Sequence, residues 1–212
     1  MGSTKQTRLE RNRQINRWQL WRPFLFYTVA LCCLHVAILN SVAPSLPAAV
    51  ALVAGGLLSW GLVEYVVHRW VLHRVPRAVG FNLPGNLTHL KHHENPLKLE
   101  RLTVQLNESL PICLVYFLLA WAISGSWQSA TYVFTGLIAG YFFYEYLDFQ
   151  AHHGTSQSPL ARYFRRYHLL HHHYDASVRY GVTSPLFDYL FGTFELEQKN
   201  RGATVQLRKG ES

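Results

Sequence analysis

Charge is scarce in this sequence. Of its 212 residues only 15% are Asp, Glu, Lys or Arg, against roughly a quarter in soluble domains. Two long stretches, Pro23 to His68 and Leu102 to Ala161, hold no Lys or Arg at all. Cysteine is sparse too. Cys32, Cys33 and Cys113 all fall in apolar runs, where a thiol acts as a small hydrophobe, so neither a disulfide framework nor a Cys-based zinc module is expected. No GxGxxG dinucleotide motif occurs. The start of the chain, Met1 to Arg22, is polar and basic. It lacks the short apolar run and small-residue cleavage site of a signal peptide.

What is present is hydrophobic, at 49% of residues. Each stretch without basic residues is long enough for two membrane crossings at about 20 residues apiece. The expected fold is therefore an all-α integral membrane protein with four transmembrane helices, near Phe24–Asn40, Ala48–Val71, Val104–Ala122 and Ser129–Asp148. Lys and Arg collect in three blocks, Lys5–Arg22, Arg69–Arg101 and Arg162–Lys209. By the positive-inside rule these face the cytoplasm, so both termini and the middle loop lie there. The net charge of +8 then reports topology and attraction to anionic membrane lipids. The basic residues sit at membrane exits rather than along a groove, which argues against nucleic acid. Three regions follow: a basic cytoplasmic segment 1–22 with Trp18 and Trp21 at the headgroup layer, a membrane-embedded body 23–194, and a polar cytoplasmic tail 195–212. His35, alone inside the first span, reads as a hydrogen-bonded packing residue.

Histidine carries the chemistry. Glu64-Tyr-Val-Val-His68-Arg-Trp-Val-Leu-His73 ends the second span and is followed by His89-Leu-Lys-His92-His93. Tyr144-Glu145-Tyr-Leu-Asp148-Phe-Gln-Ala-His152-His153 ends the fourth and is followed by His168-Leu-Leu-His171-His172. His73 to His89 and His152 to His168 are both 16 residues apart. Residues at i, i+3 and i+4 share a helix face, so each HxxHH is expected to aim three imidazoles at one point. His68 and His73, five apart, lie about 140° from each other on an ideal α-helix. They serve one centre only if the helix end unwinds, and otherwise serve two neighbouring ions.

His68, His73, His89, His92, His93, Asp148, His152, His168, His171 and His172 are the candidate metal ligands, gathered where the spans exit to the cytoplasm. Ten ligands exceed the four of a structural zinc; two ions with about five each fit better. Imidazole suits Zn, Cu, Fe and Ni alike, so ligand type does not choose the metal. Glu64, an expensive carboxylate inside the apolar region, is expected to hydrogen-bond a ligating imidazole. His153 and His173 sit about 100° from their neighbours and are placed outside the ligand set.

This ordered set, closed by Gly181-Val-Thr-Ser-Pro-Leu-Phe-Asp188-Tyr-Leu-Phe-Gly192-Thr193, resembles the fatty acid hydroxylase/sterol desaturase superfamily over His68 to about Thr193, and its fatty acid 2-hydroxylase branch most closely. The resemblance implies a non-haem centre of two Fe ions under a cytoplasmic helical cap; imidazole sites accept Zn readily, so Zn can stand in for iron in purified protein. It also implies O2-dependent hydroxylation of an unactivated C–H bond in a lipid acyl chain or similarly apolar substrate. Electrons would come from an external donor, a ferredoxin or a cytochrome b5-like protein with its reductase. Arg162, Arg165 and Arg166 offer such a donor a basic face, or simply meet solvent and headgroups. Tyr144 and Glu145 sit where the family has residues near the substrate, and Asp188 is suited to orient a ligating histidine. Where the branch carries a histidine four residues before His152, this chain has Asp148. Either Asp148 ligates, or it stands outside the ligand set and leaves a coordination position open for another outcome such as desaturation. A histidine-based membrane metal-binding or transport protein and a catalytically silent protein of the same fold are the competing readings.

Overall fold

A computed structural model describes residues 2–73, 84–98 and 103–195, without the side chains of 2–17, 19 and 84–88. All regular structure among them is helical. The elements are α1 (Gly2–Ile38), α2 (Leu46–Val66) continuing as a π-helical turn Val67–His73, α3 (Pro84–Glu94), α4 (Leu106–Ser124), α5 (Trp127–His153), α6 (Pro159–His173) and a short α7 (Leu186–Leu190). The helix ends follow local chemistry. A capping box of Gln105 and Glu108 starts α4, and Gly125, at φ +65°, stops it in the left-handed conformation that glycine adopts freely. The Ser126 side chain caps α5 by accepting the Ser129 N–H, and Ser158 does the same for α6 through Ala161.

The bundle is built around α5, which packs most closely against α2. Glycine makes this approach possible. A Cβ on Gly136 would meet the Val53 carbonyl oxygen at 2.0 Å, and one on Gly56 would meet that of Val133 at 1.9 Å. Small residues let helix backbones approach in this way in membranes. The surrounding core holds Tyr27, Cys113, Phe134, Leu137, Ile138, Tyr141, Tyr144 and Val182. Tyr27 ties α1 to α4 by donating to Ser109 Oγ at 2.9 Å. His35 packs as the sequence suggests, its Nε2 2.9 Å from Thr135 Oγ1 and its ring against Tyr132.

Outside this core the helices present apolar surface. Leu25, Val29 and Val36 of α1, Leu57, Leu58 and Leu62 of α2, and Leu114, Leu118 and Leu119 of α4 are all exposed. A continuous apolar exterior on helices whose backbones are internally satisfied suits a hydrocarbon environment.

Among the described residues three helical stretches are long and apolar enough to cross a membrane: Leu20–Ile38, Leu46–His73 and Leu106–Ser124. Four were expected. The fourth, α5, has the length, yet it is the central helix and spends its polar residues inside the bundle: Thr131, Tyr141, Glu145 and Asp148 are all buried. No break separates the basic N-terminal segment from the first span, because α1 runs continuously from Gly2 and takes Pro23 within it. Residues 74–83, in the middle basic block, lie outside the described residues, and α3 begins at Pro84. The tail beyond 195 is also outside them.

Candidate metal centre

Four elements bring the ligand-type side chains to one end of the bundle. The end of α2 supplies His68 and His73, α3 supplies His89, His92 and His93, α5 supplies Asp148 and His152, and α6 supplies His168, His171 and His172. The π winding explains the first pair. Hydrogen bonding from i to i+5 widens the turn and sets residues five apart on one side, so His68 and His73 Nε2 lie 3.2 Å apart. On α5 the ordinary α-helical spacing of four does the same work for Asp148 and His152.

The ten side chains form two groups of five, each with its ligand atoms within 4.8 Å of one another. The first is His68, His73, His89, His93 and His171; the second is His92, Asp148, His152, His168 and His172. This corrects the expectation that each HxxHH aims at one point. The i and i+4 members, His89 with His93 and His168 with His172, serve one group, while the i+3 member, His92 or His171, crosses to the other. The reason is geometric. The i+3 ring leans to the opposite side of the helix face from i+4, so each helix serves both groups.

Two rings of the first group are locked by backbone carbonyls. His68 Nδ1 donates to the Tyr180 carbonyl at 2.5 Å, and His171 Nδ1 donates to the Val178 carbonyl at 2.7 Å. Both bonds fix the tautomer with Nε2 unprotonated and turned inward. The residue between the two acceptors, Arg179, is fully buried and holds φ +63°. Its Nε donates to the Glu195 carbonyl at 2.5 Å, its guanidinium pairs with the Glu195 carboxylate at 3.2 Å, and its N–H bonds the Thr193 carbonyl. Arg179 was absent from the residues chosen from sequence. Its one signal was a lone arginine between the last histidines and Gly181.

Asp188 reaches the centre through this strap rather than by touching an imidazole. It accepts the Tyr180 N–H at 2.8 Å, the Gly181 N–H at 2.7 Å and the Thr193 hydroxyl at 2.7 Å. The Tyr180 peptide thus links Asp188 on one side to His68 on the other. Glu64 departs further from expectation. Its carboxylate accepts the Val182 and Thr183 N–H groups and the Thr183 hydroxyl, and meets no imidazole. Two backbone donors left over by the strap took the carboxylate that the sequence reserved for a histidine.

The remaining candidates divide. Tyr144, one turn before Asp148, lines an apolar cavity of about 60 Å³ together with Trp60, Val63, Ile112, Cys113 and His68. Glu145 points elsewhere: it accepts the Val104 N–H at 2.9 Å and walls a separate apolar cavity of about 340 Å³ with Trp21 and Phe24. His153 stacks on Phe149 outside both groups, and His173 is exposed.

The donor set fits a pair of metal ions. In the first group five Nε2 contacts fall between 3.0 and 3.2 Å. Nitrogens about 2.1 Å from one ion and at right angles to each other would stand about 3.0 Å apart. Inward lone pairs this close repel unless a cation lies between them. In the second group His92 Nε2 and His172 Nε2 are buried without a hydrogen-bond partner among the described residues. Burial first, then neighbouring imidazoles, hold His89, His93, His171 and His172 well below the usual histidine range. They are neutral and ready to ligate.

Fold and site together define an all-helical protein with a two-position, histidine-rich metal-type site beside an apolar cavity. The sequence profile of the family described as fatty acid hydroxylase matches residues 53–193. The dihydroceramide fatty acyl 2-hydroxylase FAH1 of Arabidopsis thaliana is 31% identical over 171 residues, covering 81% of this chain and 71% of that protein. The ceramide very long chain fatty acid hydroxylase SCS7 of Saccharomyces cerevisiae is 31% identical over 143 residues, 66% of this chain and 36% of its own length. A solved structure titled full length scs7p, with only its hydroxylase domain visible, superposes with a TM-score of 0.67 at 28% identity, covering 84% of this chain and 66% of that one. The chain belongs to the fatty acid hydroxylase family, and its relatives are fatty acid 2-hydroxylases. With three membrane-competent helices, it is a multi-pass membrane protein.

Proposed function

We propose that this protein hydroxylates an unactivated C–H bond of a lipid acyl chain, using O2, two irons and two electrons from a separate donor. One oxygen atom enters the product and the other leaves as water with two protons. The carrying observation is a shared wall: His68, a member of the first group, also lines the apolar cavity formed by Trp60, Val63, Ile112, Cys113 and Tyr144. A hydrocarbon segment in that cavity lies against the ligand cluster, in a lining that excludes water. The names of its relatives support an acyl substrate, and carbon 2 is the first position to assay.

When bound, two redox-active irons supply the oxygen-activating chemistry; zinc fills imidazole sites without it. Nine histidines and Asp148 would hold them, with the Val178 and Tyr180 carbonyls keeping His171 and His68 in the ligating tautomer. Tyr144 and Trp60 orient the acyl segment by contact. Exposed Arg162 and Arg166 suit an acidic electron carrier, a ferredoxin or a cytochrome b5-like protein, while Arg165 fastens the turn before α6 through the Gly154 and Ser156 carbonyls. The Lys and Arg blocks orient this end of the bundle, and both termini, toward the cytoplasm, with α5 as the fourth crossing.

The test is anaerobic loading of the full chain with ferrous iron, followed by O2, a reductant system and lipid extract. About two irons per chain and an O2-dependent hydroxyacyl product are expected. A protein that holds two irons and turns over no lipid would overturn the reading, as would variable metal with no product.

A further inference from the structure

The two groups of five are related by an internal repeat that breaks at one residue. His73 and His152 correspond, as do His89 and His168, His93 and His172, and the exchanged pair His171 and His92. His68 then corresponds to Asp148. The first group is five imidazoles; the second is four imidazoles and a carboxylate. Asp148 is 1% exposed, and its ion-pair partners among the described residues are three histidines: His168 Nε2 at 2.7 Å, His92 at 3.5 Å and His152 at 3.6 Å from Oδ1. Even at 2.7 Å that oxygen lacks hydrogen-bond geometry. Oxygen and nitrogens face a common point rather than each other. A buried carboxylate with no Lys or Arg against it among the described residues is costly unless a cation compensates it.

We infer that the two metal positions are inequivalent, with the Asp148 position filling first and the five-imidazole position second. This rests on the metal part of the proposed function and not on the reaction. The carboxylate brings one negative charge and a hard oxygen donor to a dry site, where charge attraction is strong. Among the described residues the other position offers no anionic ligand, and it fills against the repulsion of an ion already seated next door.

The experiment is an anaerobic titration of the metal-free full chain with isotopically enriched ferrous iron, read by Mössbauer spectroscopy at half, one and two equivalents. One quadrupole doublet should grow to one equivalent and a second, distinct doublet thereafter. In Asp148→His the two positions should fill together, giving doublets of similar intensity at one equivalent. As independent variants, His92→Ala should remove the early doublet and His171→Ala the late one, so the assignment stands even if Asp148→His fails to fold. Parallel filling in the native protein, or an early doublet that survives His92→Ala, overturns the inference. Sequential filling without lipid product sinks the hydroxylase reading alone; parallel filling with product sinks this one alone. A chain that takes up no iron sinks both.

Discussion

His93 and His172 stack face to face, ring centroids 4.0 Å apart and planes 7° apart, and each belongs to a different ligand group. The two positions therefore share a wall made of these rings. His152, by contrast, contacts only imidazoles of its own group: His92, His168 and His172. His172→Ala should thus cost its own ion and weaken the neighbouring one by about 10- to 100-fold, the range for losing a supporting contact. His152→Ala should cost one ion and leave the other. Metal content after dialysis against graded chelator distinguishes them; equal losses in both variants would refute the shared wall.

Which segments carry the gathered histidines was legible because helical spacing and the repeated 16-residue gap act locally. Which group each ring joins was not, since that depends on where α3 and α6 lie relative to α5. Nor was the strap at Val178–Tyr180, whose contribution is two carbonyls and a left-handed backbone at Arg179. Glu64 was read as an imidazole partner because nothing in sequence announces which backbone N–H groups a distant loop leaves unpaired.

That strap yields its own test. Arg179→Ala and Arg179→Gly both lose the pair with Glu195, but only glycine adopts φ +63° without penalty. The glycine variant should be the more stable of the two by about 1 kcal/mol. It should also retain metal better, because the Val178 and Tyr180 carbonyls stay aligned. Paired melts with metal analysis decide the matter; an alanine variant as stable as glycine would mean the conformation is not held in solution.

Packing of α2 on α5 sets the distance between His68/His73 and Asp148/His152. A methyl on Gly136 would collide with the backbone of α2, the Leu57 N lying 2.6 Å away, whereas one on Gly55 meets nothing within 4 Å. Gly136→Ala should destabilise by about 1–3 kcal/mol, as overpacking does, and lower metal content. Gly55→Ala should be neutral or slightly stabilising through helix propensity. Thermal melts in detergent of the two variants test the close approach directly.

In the metal-free protein the same histidines become a pH liability. His89, His93, His171 and His172 are held neutral by burial, well below the histidine range. Their folded values are depressed, so the folded state keeps its full stability above the unfolded value of about 6.5 and loses it as pH falls below that. Chelated protein should melt several degrees lower at pH 5.5 than at pH 7.5, and adding zinc at pH 7.5 should raise the midpoint by mass action. A midpoint unchanged between the two pH values would mean the rings are not buried together.

The cavity beside His68 offers the sharpest separation of metal binding from substrate binding. Ile112 lies on α4, which contributes no ligand, yet its side chain lines the same cavity of about 60 Å³ as Tyr144 and His68. Ile112→Trp adds a ring that would take up most of that space, so the acyl segment should be excluded while the ten ligands stay in place. Metal content should be native and hydroxylated product should fall at least 10-fold, an amount reached with only about 1.4 kcal/mol of lost binding or alignment. The mirror substitution, Ile112→Ala, should enlarge the cavity and shift preference toward bulkier chains. Full turnover by the tryptophan variant would place the substrate elsewhere, and metal loss would show that α4 supports the centre as well as the cavity.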